Sequence, residues 1–225
     1  MPFEAVKFEK MDYMVRYPHG YRVGERYPVI LNLHGAGTRG QTVDQLTEQC
    51  CYRVTEKMED YPFVTVAPLC YENTWFDMYE VLRRFVVFLA HEPFCDPDRL
   101  YLMGGSMGGY TAWQLGMSLP EYFAAMVPIC GGGMYWNAAR LKDVPVWAFH
   151  GAKDPTVLCR ESEIMVEKVN LRGGNARLTV YPENKHDAWT DTYSNPEVYA
   201  WLLSHRRAGS EPAQDSYSKN PGAFG

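Results

Sequence analysis

Leu100-Tyr101-Leu102-Met103-Gly104-Gly105-Ser106-Met107-Gly108-Gly109-Tyr110 is an apolar run that stops in glycines, with one serine at the break. It reads as a strand, a tight turn and the start of a helix, with Ser106 at the tip. Gly104, Ser106 and Gly108 fit G-x-S-x-G, in which small residues let a strand reverse directly into a helix. A side chain on such a strained turn is held out of the core, so Ser106 is a candidate nucleophile. Glycine and serine are common residues, and the match gains meaning only from what the rest of the chain supplies.

Upstream, Phe3 to Phe8 and Met11 to Tyr17 alternate around Glu9 and Lys10, which suits a half-exposed antiparallel hairpin. Pro28 to Gly35 is nearly continuously apolar, as a central strand buried on both faces is. Between Gln41 and Asp60, residues Val43, Leu46, Cys50 and Val54 recur at helical intervals and predict a helix. Phe63 to Pro68 is the next strand. The stretch Met78 to His91 places Leu82, Phe85, Val86 and Leu89 on one helix face.

Downstream of Ser106, a helix runs to Pro120, and Ala124 to Cys130 and Val144 to Gly151 are strands. Met165, Val166 and Val169 mark a helix, Arg177 to Tyr181 a last strand, and Asn195 to His205 a closing helix. Alternation of strands and helices from residue 28 onward requires right-handed crossovers. The expected fold is α/β: a three-layer α/β/α sandwich on a mostly parallel eight-stranded sheet. One domain over residues 1–207 is expected, and residues 208–225, rich in Gly, Ser, Pro and Ala, read as a flexible tail.

Apolar residues make up 46% and aromatic residues 14% of the 225, enough for a sizeable core. The net charge of −5 comes with no run of lysine and arginine, so no nucleic-acid partner is expected. No stretch has the hydrophobic segment of a signal peptide or a membrane span, and no membrane partner is expected. The six cysteines, two of them adjacent at Cys50 and Cys51, do not resemble a disulfide framework or a zinc site. A reduced, cytoplasmic compartment is the simplest reading, with no metal and the cysteines as small buried residues. Cys130 ends a strand and is the one through which thiol reagents would block a site by crowding.

In an open parallel sheet, ligands bind at the carboxyl ends of the strands. There this chain puts His34-Gly35-Ala36-Gly37, then Ser106, then Asp154, then His186. A serine hydroxyl needs a neutral imidazole to take its proton, and the imidazole needs a carboxylate to fix its tautomer. His186 and Asp154 supply these, in the order Ser, Asp, His. Asp187 and Asp191 are alternative carboxylates, but neighbours of the histidine in sequence are badly placed to reach its far nitrogen. An oxyanion requires backbone N–H donors set in advance, and the amides of Ala36 and Met107 are the natural pair. His34 and His150 each precede a glycine at a strand end and read as packing residues.

These segments, with His150-Gly151-Ala152-Lys153-Asp154 and His186-Asp187-Ala188-Trp189, resemble the α/β-hydrolases over roughly residues 3–206. Within them the pattern is similar to the small esterase and dienelactone-hydrolase-like group, including feruloyl and acetylxylan esterases and proteins described as peptidases or phospholipases. The resemblance implies ester hydrolysis through an acyl-serine, with no metal and no organic cofactor. Dienelactone hydrolases proper carry cysteine at the elbow, whereas position 106 is serine, which favours ordinary carboxylic esters.

Only Gly132 to Val144 separate two strands where many lipases insert a lid, so no lid domain and a small or modest-sized soluble ester substrate are expected. Trp75, Trp136 and Trp189 lie in loops after strands, where flat apolar surface would suit aryl or sugar groups. Two other readings stay open: a peptidase or amidase with the same machinery, and a binding protein on a hydrolase scaffold. The oligomeric state has no signature in the sequence.

Overall fold

Side-chain alternation along each strand sends neighbours to opposite faces of a sheet, and the strands here feed two separate cores. Val29, Leu31, Leu33, Leu100, Leu102, Val146 and Ala148 join one apolar cluster. Their sequence neighbours Ile30, Tyr101, Met103, Trp147 and Phe149 join the other. Burial on both faces is what the continuous apolar runs demand.

The computed structural model describes residues 3–207; the expected tail at 208–225 lies outside the described residues. The strands are β1 (Phe3–Phe8), β2 (Met11–Arg16), β3 (Tyr27–Leu33), β4 (Val64–Pro68), β5 (Cys95–Gly105), β6 (Ala125–Ile129), β7 (Val146–Gly151) and β8 (Ala176–Tyr181). They form one eight-stranded sheet in the order β1-β2-β4-β3-β5-β6-β7-β8. β2 runs antiparallel to β1 and β4, and every pairing from β4 through β8 is parallel. The N-terminal hairpin is half-exposed only in β1, because β2 is paired on both edges and almost wholly buried.

Helices α2 (Tyr79–Ala90), α3 (Met107–Ser118) and α4 (Cys159–Leu171) contribute to the first cluster. Helices α1 (Cys50–Thr55), α5 (Trp189–Ser194) and α6 (Pro196–Leu203) contribute to the second. Among the described residues no helix is long and apolar enough to cross a membrane. The connection from β6 to β7 holds one 3-10 helix, Tyr135–Leu141.

Two local expectations are corrected. The single helix between Gln41 and Asp60 is instead a 3-10 helix, Val43–Glu48, followed by α1, because Gln49 is extended at φ −64° and ψ 145°. Apolar spacing reports which residues turn inward but does not reveal such a break. The closing helix is preceded by α5, a six-residue helix whose Trp189 and Tyr193, four residues apart, pack on the second cluster.

α1 is tied to the sheet by Arg16, whose buried guanidinium donates from Nη1 to the Tyr52 carbonyl at 3.1 Å and lies 4.6 Å from the Tyr61 ring centroid. The first turn of α3 packs directly onto β3: a Cβ added to Gly108 would lie 2.0 Å from the Leu33 carbonyl oxygen. Backbone meets backbone there, and no flexible side chain is available to give way. Gly108→Ala is therefore expected to cost about 2 kcal/mol or more by separating α3 from β3, read as a lower urea midpoint with an unchanged slope.

Candidate active site

Ser106 occupies a backbone conformation that side chains rarely adopt, with φ 56° and ψ −118°. Its amide donates to the Ile129 carbonyl at 2.9 Å, and its carbonyl accepts the first helical bond from Tyr110 at 3.0 Å. The turn is thus pinned on one side by β6 and on the other by α3, and the hydroxyl stands at the carboxyl end of β5.

Three loops bring partners to it. His186, after β8, has Nε2 2.8 Å from Ser106 Oγ and Nδ1 2.7 Å from Asp154 Oδ2. A proton on Nδ1 directed at the carboxylate leaves Nε2 as the acceptor for the serine hydroxyl. Asp154, after β7, has a fully buried carboxylate; Oδ1 accepts from the amides of Thr156 at 2.8 Å and Val157 at 3.0 Å. Burial pushes its carboxyl upward, but the bonds from His186, Val157 and Thr156 outweigh this and hold it below the ordinary 3.8. Asp187 and Asp191 are committed elsewhere, to Thr190 and Asn184.

Ala36 opens a 3-10 turn after β3 and Met107 opens α3, positions whose amides have no acceptor within their own turn. A Cβ on Gly35 would lie 3.4 Å from Ser106 Cβ, so the Ala36 loop passes directly beside the serine. That loop is braced from behind. His34 donates from Nδ1 to the Gly35 carbonyl at 2.8 Å and accepts the Cys70 amide on Nε2 at 3.0 Å. Burial pushes this ring down to about 4, consistent with one donor and one acceptor nitrogen.

The tryptophans separate into three roles. Trp189 lines the cavity beside Ser106, meeting the His186 ring edge to face at 5.2 Å. Trp75 does not line it: the residue is fully buried, and its Nε1 donates to the His34 carbonyl at 3.0 Å. Trp136 also stays outside the cavity, 67% exposed and packed against Tyr135. Loop placement after a strand does not tell these apart; burial and the group each ring meets do.

The cavity measures about 450 Å³. Its walls include Ala36, Thr38, Ser106, Thr156, His186 and Trp189, and the broken helical segment supplies Glu48, Gln49, Cys50 and Cys51. The last four are not legible in the sequence as site residues, because apolar spacing does not reveal the break at Gln49. His150, expected from the sequence to be a packing residue, also reaches the site: its Nε2 lies 3.4 Å from Asp154 Oδ2. Cys130, His150 and Asp154 have ligand-type atoms within 4.8 Å of one another. Asp154 is already bonded to His186 and two amides, and burial pushes the Cys130 thiol up to about 12, so this donor set does not suit a cation.

A sequence model of the dienelactone hydrolase family matches residues 65–208. The chain belongs to that family. Among solved structures, this dienelactone hydrolase family member is similar to a thermostable esterase, with TM-score 0.76 and 31% identity over 91% of this chain and 63% of that one. Est1E from Butyrivibrio proteoclasticus shares the α/β-hydrolase fold at TM-score 0.68, 14% identity, 90% of this chain and 99% of that one. Dipeptidyl-peptidase 5 of Porphyromonas gingivalis is 22% identical over 44% of this chain and 20% of that protein. The chain therefore spans a fifth of that curated relative and just under two thirds of the thermostable esterase.

Thiol chemistry separates two cysteines of the site. Cys130 is fully buried, which corrects the expectation that thiol reagents act through it, whereas half-buried Cys50 lines the cavity. Burial raises the Cys50 thiol above its ordinary 9.0, so its thiolate fraction grows throughout the range below that value. Iodoacetamide is expected to block the cavity through Cys50, faster as pH rises from neutral, and to leave Cys130 unmodified in the folded protein. Peptide mapping identifies the modified residue, and Cys50→Ser is expected to abolish the inhibition.

Proposed function

We propose that this protein is a serine carboxylesterase acting on small or modest-sized, uncharged esters. The observation that carries the proposal is the continuous hydrogen-bonded line from Ser106 Oγ through His186 to Asp154, at 2.8 Å and 2.7 Å, opening on a cavity. Family membership and the esterase neighbour support a hydrolase in general, and the line supplies a mechanism.

Ser106 Oγ attacks the ester carbonyl carbon as His186 Nε2 takes its proton. The amides of Ala36 and Met107 receive the developing oxyanion. His186 then passes the proton to the leaving alkoxide, which departs as the alcohol and leaves an acyl-serine. Water, deprotonated by the same nitrogen, hydrolyses that intermediate and restores the hydroxyl. Asp154 holds the Nδ1–H tautomer and stabilises the imidazolium formed in each half-reaction.

The cavity volume is in the small-molecule range of roughly 300–1,000 Å³. Trp189 offers a flat wall beside the reacting serine for an aryl or sugar group. Among the described lining residues there is no lysine or arginine, while Glu48 supplies a carboxylate. An ester carrying a second carboxylate meets that charge with no compensating cation.

Four measurements test this reading. A fluorophosphonate probe is expected to label Ser106, and Ser106→Ala is expected to lose both labelling and turnover; equal activity of that variant would end the proposal. Asp154→Asn is expected to fold and to lose on the order of 10²- to 10⁴-fold in kcat through the wrong histidine tautomer. A neutral aryl acetate is expected to exceed its carboxylate-bearing counterpart by about fivefold in kcat/KM, a preference reduced in Glu48→Gln. Faster turnover of an aminoacyl anilide than of the aryl acetate would transfer the assignment to a peptidase.

A further inference from the structure

His150 is the last but one residue of β7, four residues before Asp154, and is fully buried. Its contacts allow a count of protons. Nδ1 lies 2.8 Å from Ser162 Oγ, and Nε2 lies 2.9 Å from the Val157 carbonyl and 3.4 Å from Asp154 Oδ2. Ser162 has a single hydroxyl proton, and that proton goes to the Gly131 carbonyl at 2.8 Å. The Ser162 oxygen can therefore only accept from His150 Nδ1. The Val157 carbonyl and the Asp154 carboxylate can only accept from Nε2. Both ring nitrogens must be donors, and a neutral imidazole has one.

We infer that His150 is a buried imidazolium sharing the Asp154 carboxylate with His186, and that it acts as a positioning residue for the hydrolytic machinery. His34, the other histidine preceding a glycine at a strand end, shows the opposite pattern. Its Nδ1 donates and its Nε2 accepts, so it is neutral. The groups facing His150 that can carry charge are Asp154, the Cys130 thiol and, across the carboxylate, His186; Ser162 and Val157 contribute uncharged acceptors.

This second histidine adds an opposite charge to the bonds from His186, Val157 and Thr156 that hold a carboxylate with no solvent exposure ionised. An isolated buried charge is strongly disfavoured, while a buried charge with an opposite ion and filled hydrogen-bonding positions is tolerated. The two rings then have separate duties. His150 is fixed by Ser162 and Val157 and keeps its protons, while His186 faces the cavity and exchanges one with Ser106. A fixed cation beyond Asp154 also places a like charge across the carboxylate from the imidazolium that forms at His186 during turnover.

The kinetic part of the inference rests on the serine-hydrolase reading; the protonation state does not. The test is long-range ¹H–¹⁵N correlation on the full chain labelled at histidine, at neutral pH, with the His150 signals assigned by their absence in His150→Gln. Two protonated ring nitrogens are expected for His150 and one for His34. A bare nitrogen on His150 would overturn the inference. In turnover of a neutral aryl acetate, His150→Gln is expected to lose about tenfold in kcat with KM nearly unchanged. The rising limb of kcat/KM is expected to move up by about one pH unit as the opposing cation is removed. A loss of kcat with an unmoved limb would make His150 a packing residue and overturn the positioning role. Should the variant fail to fold, resonances assigned through Ser162→Ala decide the protonation state. Absence of fluorophosphonate labelling in the parent chain would defeat the esterase reading while leaving the nitrogen signature standing.

Discussion

Ser106 can hold φ 56° because the backbones around it meet at contact distance. β6 receives its amide, and the start of α3 lies against the end of β3 with no room for a Cβ at Gly108. Conformational strain of this kind costs on the order of 1–3 kcal/mol and persists only where the surroundings over-determine it. Here the surroundings are three parallel strands and a helix, and the same contacts that sustain the strain carry the Ala36 loop to the serine. Fold and site are fixed by one set of close approaches.

Electrostatics then select what can be done at that turn. Asp154 is buried completely, and its two oxygens are shared among two amides and two histidines. His186 is the partner that also faces the cavity. This polar line lies at the carboxyl ends of β5, β7 and β8, above apolar clusters on either face of the sheet, the second of which also encloses the Arg16 guanidinium.

Much of this was legible in the sequence because buried parallel strands leave continuous apolar runs, and the run before Ser106 ends in the glycines that a sharp reversal requires. Ser106, Asp154 and His186 stood out since each follows a strand and each has a defined chemical duty. The helix expected over Gln41 to Asp60 was not legible in detail, because the extended Gln49 leaves the spacing of Val43, Leu46 and Cys50 intact. Trp75 and Trp189 look alike in sequence; one indole nitrogen finds the His34 carbonyl in the interior and the other ring meets His186. His150 reads as packing in the sequence because nothing in a strand-end His-Gly pair reveals which acceptors surround the ring.

The broken segment from Val43 to Thr55, which supplies part of the cavity wall, is a short 3-10 helix and a six-residue helix joined at one extended residue. It bears none of the hydrogen bonds that join Ser106, His186 and Asp154. Insertions or exchanges there alter the shape and charge seen by a substrate while leaving the reacting groups in register. Specificity and chemical competence are therefore separable evolutionary traits in this scaffold, and diversification of ligand range can proceed through Glu48 and Gln49, which line the cavity outside the core cluster that Leu46, Cys51 and Tyr52 join.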